Sequence, residues 1–356
     1  MYITRLELKN FRCFDQKVLT FEKKISCIIG LNGTGKTSVL EALHYACYFK
    51  SFKTSSVKEL AKIDSPGFGI KIHLQDLDLG DFDILGINFA EGKKLVKLNN
   101  NPVTSFKDHF SRYTTVTLTE DDLELIKGAP ELRRTFIDQL LIVDDPSYAM
   151  LLRKFRQTLE NRTALLDNFN GNMQMFQLWT RQLWEITITI RKIRIEGLKK
   201  LEYEFNALIK SILDGDFSIG LEYQGDIDNS FEAFYDQLLI SKFSRECASR
   251  RSLFGVHLDD FSIIFKQKAS RTYASRGQQK LIVLFLKLAQ LKLISIKHSK
   301  TILLLDDFMT DFDDQIMANI LPALTGMANQ LIFTVPSEKN LLNSNLNLLE
   351  PQLLKL

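Results

Sequence analysis

The chain has 356 residues, 45% hydrophobic and 25% charged, with a formal net charge of +3. These are the proportions of a protein that buries a real core, in one large domain or two, and the charge is too small to announce a nucleic-acid partner by itself. Cys13, Cys27, Cys47 and Cys247 stand apart with no C-x-x-C pair, which argues against a zinc site or a disulfide frame and fits a reducing compartment. The start, Met1-Tyr2-Ile3-Thr4-Arg5-Leu6-Glu7, is charged early, and no apolar run approaches the length of a membrane span. The expected location is the cytoplasm, with no membrane partner.

In chain order, residues 2–9 and 25–29 read as strands. Between the second strand and a helix over 38–49 lies Gly30-Leu31-Asn32-Gly33-Thr34-Gly35-Lys36-Thr37, a G-x-x-x-x-G-K-T phosphate loop followed by Ser38. Glycines let the backbone curl so that several N–H groups and the positive end of a helix face one anion. Lys36 is expected to reach the β- and γ-phosphates of ATP, and the Thr37 hydroxyl to hold Mg²⁺. The strand–loop–helix context turns the pattern into a site.

Short alternating stretches at 69–75, 82–89 and 94–98 read as strands, closed by a turn at Asn99-Asn100-Asn101-Pro102. A β-branched strand follows at 114–118. The middle is helical, over 147–168 and 174–213, split by Asn168-Phe169-Asn170-Gly171-Asn172. Phe176, Trp179, Leu183, Ile186, Ile190 and Ile193 form an a/d stripe, which slips once near Gly197 and resumes at Leu198, Leu201, Phe205, Leu208 and Ile212. The first helix is too short to pair along the whole second one, so a small bundle fits better than a long coiled-coil arm. Beyond it, 278–294 reads as a buried helix, and 301–305 and 330–335 as the continuous apolar strands of a parallel sheet.

The strand Ile302-Leu303-Leu304-Leu305 ends in Asp306-Asp307. Carboxylates at the carboxyl end of such a strand, beside a phosphate loop, are where Mg²⁺ is held. Asp306 is the expected metal partner with Thr37, and Asp307 the residue that orients or deprotonates the attacking water. Lys36 and Asp307 are the expected catalytic pair.

Tyr273-Ala274-Ser275-Arg276-Gly277-Gln278-Gln279-Lys280 precedes the buried helix and resembles the signature motif of ABC-type ATPases. In that superfamily the signature of one subunit closes on the γ-phosphate held by the other, which makes Ser275, Arg276, Gly277 and Gln278 nucleotide contacts. A local reading is a capped helix, with Ser275 as cap and Gln278 as its capping-box partner. That reading leaves Arg276-Gly277 unexplained, since a glycine in the first turn costs about 1 kcal/mol against alanine.

With these motifs placed, the chain resembles the RecF family of SMC-like DNA-repair ATPases nearly end to end. The resemblance is carried by Leu8-Lys9-Asn10-Phe11-Arg12, by Ser51-Phe52-Lys53-Thr54-Ser55, by Leu118 to Gly128 with Arg133-Arg134-Thr135-Phe136-Ile137-Asp138, by Gly255-Val256-His257-Leu258-Asp259-Asp260, and by Ser275 to Gln290. Departures are Val256 for Pro, Leu258 for Arg, Thr310-Asp311-Phe312-Asp313 for Ser-Glu-Leu-Asp, Asp307 where many relatives have Glu, and Phe333-Thr334-Val335-Pro336 where many place a histidine.

The resemblance implies an α/β ABC-type P-loop ATPase head, a mixed sheet flanked by helices, over 1–118 and 216–356, with an inserted helical lobe, a short arm, at 119–215. It implies a head-to-head homodimer that sandwiches ATP, with Asp313 crossing the interface. Such a dimer clamps duplex DNA and single-/double-strand junctions, hydrolyses ATP slowly with DNA stimulation, and works with RecR and RecO in loading recombinase. The residues' own support for DNA is modest: the grouping of Arg153, Lys154, Arg156 and Arg162, of Arg191, Lys192 and Arg194, and of Lys242, Arg245, Arg250 and Arg251, which by itself reads as readily as solvated helix faces balanced by acids elsewhere. The alternatives are the ATPase subunit of a transporter, which the signature permits, and a P-loop kinase, which needs no signature.

Overall fold

A computed structural model describes residues 2–75, 80–103, 114–167, 169, 171–213, 217–226, 230–297, 301–307, 312, 314–342 and 344–356. The chain divides into two compact units, one of Met1–Leu123, Ala207–Asp216 and Lys280–Leu356, the other of Glu124–Asn206 and Phe217–Gln279. The sequence alone gives everything after 216 to the ATPase lobe. Residues 217–279 instead cluster with the helical insertion, whose Arg133, Arg162 and Arg191 bond Asp260, Glu246 and Asp259 of this stretch.

In chain order the strands are β1 (Tyr2–Phe11), β2 (Phe14–Thr20), β3 (Ile25–Ile29), β4 (Gly67–Gln75), β5 (Phe82–Ala90), β6 (Lys93–Leu98) and β7 (Asn101–Pro102). They continue as β8 (Thr114–Leu118), β9 (Ile219–Gln224), β10 (Asp260–Phe265), β11 (Lys268–Ala269), β12 (Thr301–Leu305), β13 (Gln330–Val335) and β14 (Gln352–Lys355).

In the first unit β14-β3-β13-β12-β8 form a sheet whose pairs are all parallel. Every residue of β8, β12 and β13 is buried, as expected in a parallel sheet covered on both faces; β12 and β13 are largely apolar, and β8 is built from β-branched Thr and Val with Leu118. A second, antiparallel sheet runs β2-β1-β4-β5-β6-β7. Its strands alternate: Leu6, Leu8, Ile70, Ile72, Leu85 and Ile87 face one core with Val39, Leu43 and Ala46 of the Lys36–Tyr48 helix and Ile28, Ile302 and Ile332 of the parallel sheet. The α/β head expected from the sequence is present, with its parallel and antiparallel strands sorted into two sheets and the helix packed on both. The asparagine turn is tighter than expected: Asn99 and Asn100 take positive φ and Asn101-Pro102 already pairs back on β6.

In the second unit β9, β10 and β11 form a small antiparallel sheet. The Met173–Ile212 helix has 40 residues and so rises about 60 Å. Its stripe residues Phe176, Leu183, Ile186, Ile190, Leu198, Leu201 and Phe205 are buried within this single chain, as a bundle requires. The slip in the stripe has a steric cause. A Cβ at Gly197 would lie 2.8 Å from Leu141 Cδ2, so the glycine lets the Pro130–Asp144 helix cross close against the backbone.

Candidate functional site

The phosphate loop leaves β3 and enters the Lys36–Tyr48 helix. Gly33 and Gly35 take positive φ of 86° and 100°, the region open to glycine. At Gly35 the need is double, since a Cβ would also lie 2.6 Å from Cys13 Sγ. Gly35 caps the helix without a side chain, and the first turn contains no acidic residue. No carboxylate of the helix's own first turn therefore competes for its amides and positive end, and the loop fits a polyanion. Thr34 Oγ1 donates to Leu31 O at 2.9 Å and braces the curl. Leu31, Asn32 and Gly33 are exposed, while Gly30, Thr34, Gly35, Thr37 and Ser38 are half-buried along the rim.

Lys36 is buried. Its Nζ donates to Gly30 O at 2.8 Å and lies 3.5 Å from Asp307 Oδ2, so the ammonium is folded across the loop. At the end of β12 the Asp306 carboxylate is hydrogen-bonded by Thr37 and, at 2.9 Å, by Thr334 Oγ1. The same hydroxyl lies 3.0 Å from Asp307 Oδ1 and accepts the Asp307 amide at 2.8 Å. Burial raises the Asp306 pKa above the usual carboxylate range; the hydrogen bonds from Thr37 and Thr334 oppose the rise, and the charge of Asp307 adds to it. Asp307 itself sits at a positive φ of 47°. Thus Lys36, Thr37, Asp306 and Asp307 converge, and a hydroxyl beside a carboxylate is a donor set suited to a hard cation such as Mg²⁺. Sequence reasoning missed Thr334. Its signal was its place at the carboxyl end of β13, where only the lack of a histidine was noted.

In the second unit, Ser275 and Gln278 form the reciprocal capping box: Ser275 N donates to Gln278 Oε1 at 2.9 Å, and Gln278 N to Ser275 Oγ at 3.3 Å. Ser275, Arg276 and Gly277 are exposed. A Cβ at Gly277 would meet nothing within 4 Å, so nothing local demands this glycine. Asp313 lies outside the described residues.

The basic groups read as exposed charge need correction. Arg162 is fully buried, paired with Glu246 at 2.5 Å and bonded to Ser252 and Thr180. Arg191 forks onto Asp259, and Arg194 onto Asp138 and Val256 O. These arginines are internal ties. Their partners lie far along the chain, so sequence grouping with Arg153, Lys154, Arg156 and Lys192, which are exposed, misled. The two internal blocks that carried the resemblance are tied together the same way: Arg133 bonds Asp260 at 2.8 Å, and Arg134 bonds Asp259 O at 2.7 Å.

An AAA domain family matches residues 5–350. The chain is 31% identical over 351 residues to the DNA replication and repair protein RecF of Bacillus mycoides (strain KBAB4), covering 95% of this chain and 93% of that protein. It is 31% identical over 346 residues to RecF of Halalkalibacterium halodurans, covering 94% and 92%. A solved structure of the recombination mediator protein RecF-ATP in the RecFOR pathway superposes with a TM-score of 0.84 at 27% identity, covering 94% of this chain and 92% of that one. An Smc head bound to the C-winged helix domain of ScpA, at 17% identity and a TM-score of 0.52, shares the fold. By length, motifs and architecture together, the chain belongs to the RecF family of DNA replication and repair proteins, built on an AAA domain.

Proposed function

We propose that the chain is an ATP-dependent DNA-binding protein of recombinational repair, a homodimer when ATP is bound, with slow hydrolysis as its release step. The observation that carries this reading is the convergence of Lys36, Thr37, Asp306 and Asp307 around a loop whose helix has no acidic residue in its first turn. Lys36 would exchange Gly30 O for the β- and γ-phosphates, and Thr37 and Asp306 would hold Mg²⁺. Mg²⁺ supplies charge neutralisation at the phosphates when bound. Asp307 would take the proton of the attacking water. Its side chain is one carbon shorter than glutamate, which agrees with slow turnover. Ser275, Arg276, Gly277 and Gln278 would complete the site of a second copy; the exposed Gly277, which no local contact requires, supports that role.

Duplex and junction DNA are the proposed substrates, in line with the family. RecR and RecO are the proposed partners; the solved relative is described as a mediator of the RecFOR pathway. A cytoplasmic location is proposed, and among the described residues no helix is long and apolar enough to cross a membrane.

The test is sedimentation with and without ATP for wild type and Lys36→Ala, followed by ATPase assays with duplex, single-stranded and junction DNA. Dimerisation that needs both ATP and Lys36, with hydrolysis raised by DNA, is the expected result. A dimer indifferent to Lys36→Ala, or turnover of many ATP per second, would overturn it.

A further inference from the structure

The solvent face of the antiparallel sheet β2-β1-β4-β5-β6-β7 contains a trough that the nucleotide site does not use. Cross-strand partners share a face. Lys9 stands opposite Gly69, Lys71 opposite Gly86, and Gly86 opposite Lys97. The two glycines put no side chains between the lysines and leave an opening of about 530 Å³ walled by Lys9, Lys71, Lys97 and Asn88. A Cβ at Gly86 would meet nothing within 4 Å.

The three lysines are exposed, and none forms an ion pair with a described residue. The acidic side chain of the trough, Glu7, is already engaged by Arg5 at 2.9 Å and by His73 at 3.1 Å. Unpaired like charges gathered on one face repel one another until a polyanion displaces their counterions. Lys9 and Lys71 are diagonal neighbours, about 7–8 Å apart at the backbone. Lys71 and Lys97 lie two strands apart, about 10 Å. The Lys9–Lys71 spacing is close to that of neighbouring phosphates on one strand of a duplex, and the Lys71–Lys97 spacing falls between one and two phosphate steps.

We propose that this trough grips the phosphate backbone of duplex DNA. The proposal rests on the DNA-binding reading above and assigns residues to it. The walls decide between nucleic-acid forms: they contain no Phe, Tyr or Trp, so bases have no platform to stack on, as single strands require. Lysines are point charges that position a backbone and read no sequence. Binding here is therefore duplex-directed, sequence-blind and strongly salt-dependent.

The experiment is fluorescence anisotropy of a labelled duplex with the full chain and a non-hydrolysable ATP analogue across a salt series. Lys9→Gln/Lys71→Gln/Lys97→Gln together should lower the slope of log K against log salt by roughly two to three and cost at least about tenfold in affinity. Gly86→Glu, which plants a carboxylate in the open floor and removes no lysine, should weaken binding more than Gly86→Gln. ATP binding should be unchanged in each. Wild-type slope and affinity in the triple variant would overturn the proposal while leaving the DNA-binding reading intact. So would loss of polyglutamate binding alone, which would assign the trough to an acidic polypeptide. Wild type that binds no DNA in either nucleotide state would overturn both.

Discussion

The Thr334 hydroxyl stands 2.9 Å from the Asp306 carboxylate and, through its other contacts, fixes the main chain of Asp307 as well. A single side chain on β13 thus sets the spacing of the two acids that follow β12. Thr334→Val removes the hydroxyl at nearly constant volume. It is expected to cut ATP turnover by about tenfold to a hundredfold, the usual cost of a misplaced catalytic carboxylate. ATP binding in equilibrium titrations should change little, and Thr334→Ser should restore turnover.

Burial and the neighbouring Asp307 both oppose charge on Asp306 and raise its pKa. Asp306→Asn should abolish Mg²⁺-dependent hydrolysis and still raise the melting temperature of the nucleotide-free protein by a few degrees. An acid with a raised folded pKa costs stability above that pKa, and the cost vanishes as pH falls below its unfolded value. The gap between variant and wild type should therefore narrow on acidification from pH 7 towards 4, which thermal melts at several pH values will show.

His44 is buried on the phosphate-loop helix, 2.8 Å from Thr117 Oγ1, and burial pushes its pKa down to about 3. The native imidazole stays neutral where the unfolded one, titrating near 6.5, takes up a proton. The unfolded state then binds more protons, so stability falls as pH drops from about 6.5 towards 3, by up to about 1.4 kcal/mol per pH unit from this residue. Urea unfolding of His44→Gln against wild type should show a shallower loss over that window.

Arg162 and Glu246 are both fully buried, and the guanidinium is also flanked by the rings of Phe176 and Phe254 at 4.8 Å. Removing either charge alone strands the other. Arg162→Met or Glu246→Gln should each destabilise by about 3–5 kcal/mol, and the Arg162→Met/Glu246→Leu pair by clearly less than the sum. A double-mutant cycle on denaturation midpoints reads the coupling.

Much of the nucleotide unit was legible because its physics is local. The strands β12 and β13 were read at 301–305 and 330–335 as continuous apolar runs, and β8 at 114–118 from its β-branched Thr and Val residues. The strands β2 and β10 were not read: Phe14–Thr20 is mostly exposed along an edge, and Asp260–Phe265 gains its identity only by pairing with Ile219–Gln224. The phosphate loop declared itself because its glycines, lysine and threonine are contiguous. Thr334 did not, because its role exists only where β13 lies beside β12. The same limit placed Arg162, Arg191 and Arg194 in basic groups offered as support for DNA, since Glu246, Asp259 and Asp138 meet them only in the folded unit.

The placement of β3 has a consequence for how the protein is made. Its two neighbours in the parallel sheet are β13 and β14, so the strand that bears the phosphate loop has no pairing partner until residues 330–355 have been synthesised. A ribosome adding about 5–20 residues per second leaves that apolar strand waiting for tens of seconds. Pairings so distant in sequence also form slowly once both strands exist. Nascent chains of this protein should accordingly lean on chaperones late in translation, and a ribosome stalled before β13 should display a phosphate loop that cannot yet hold nucleotide.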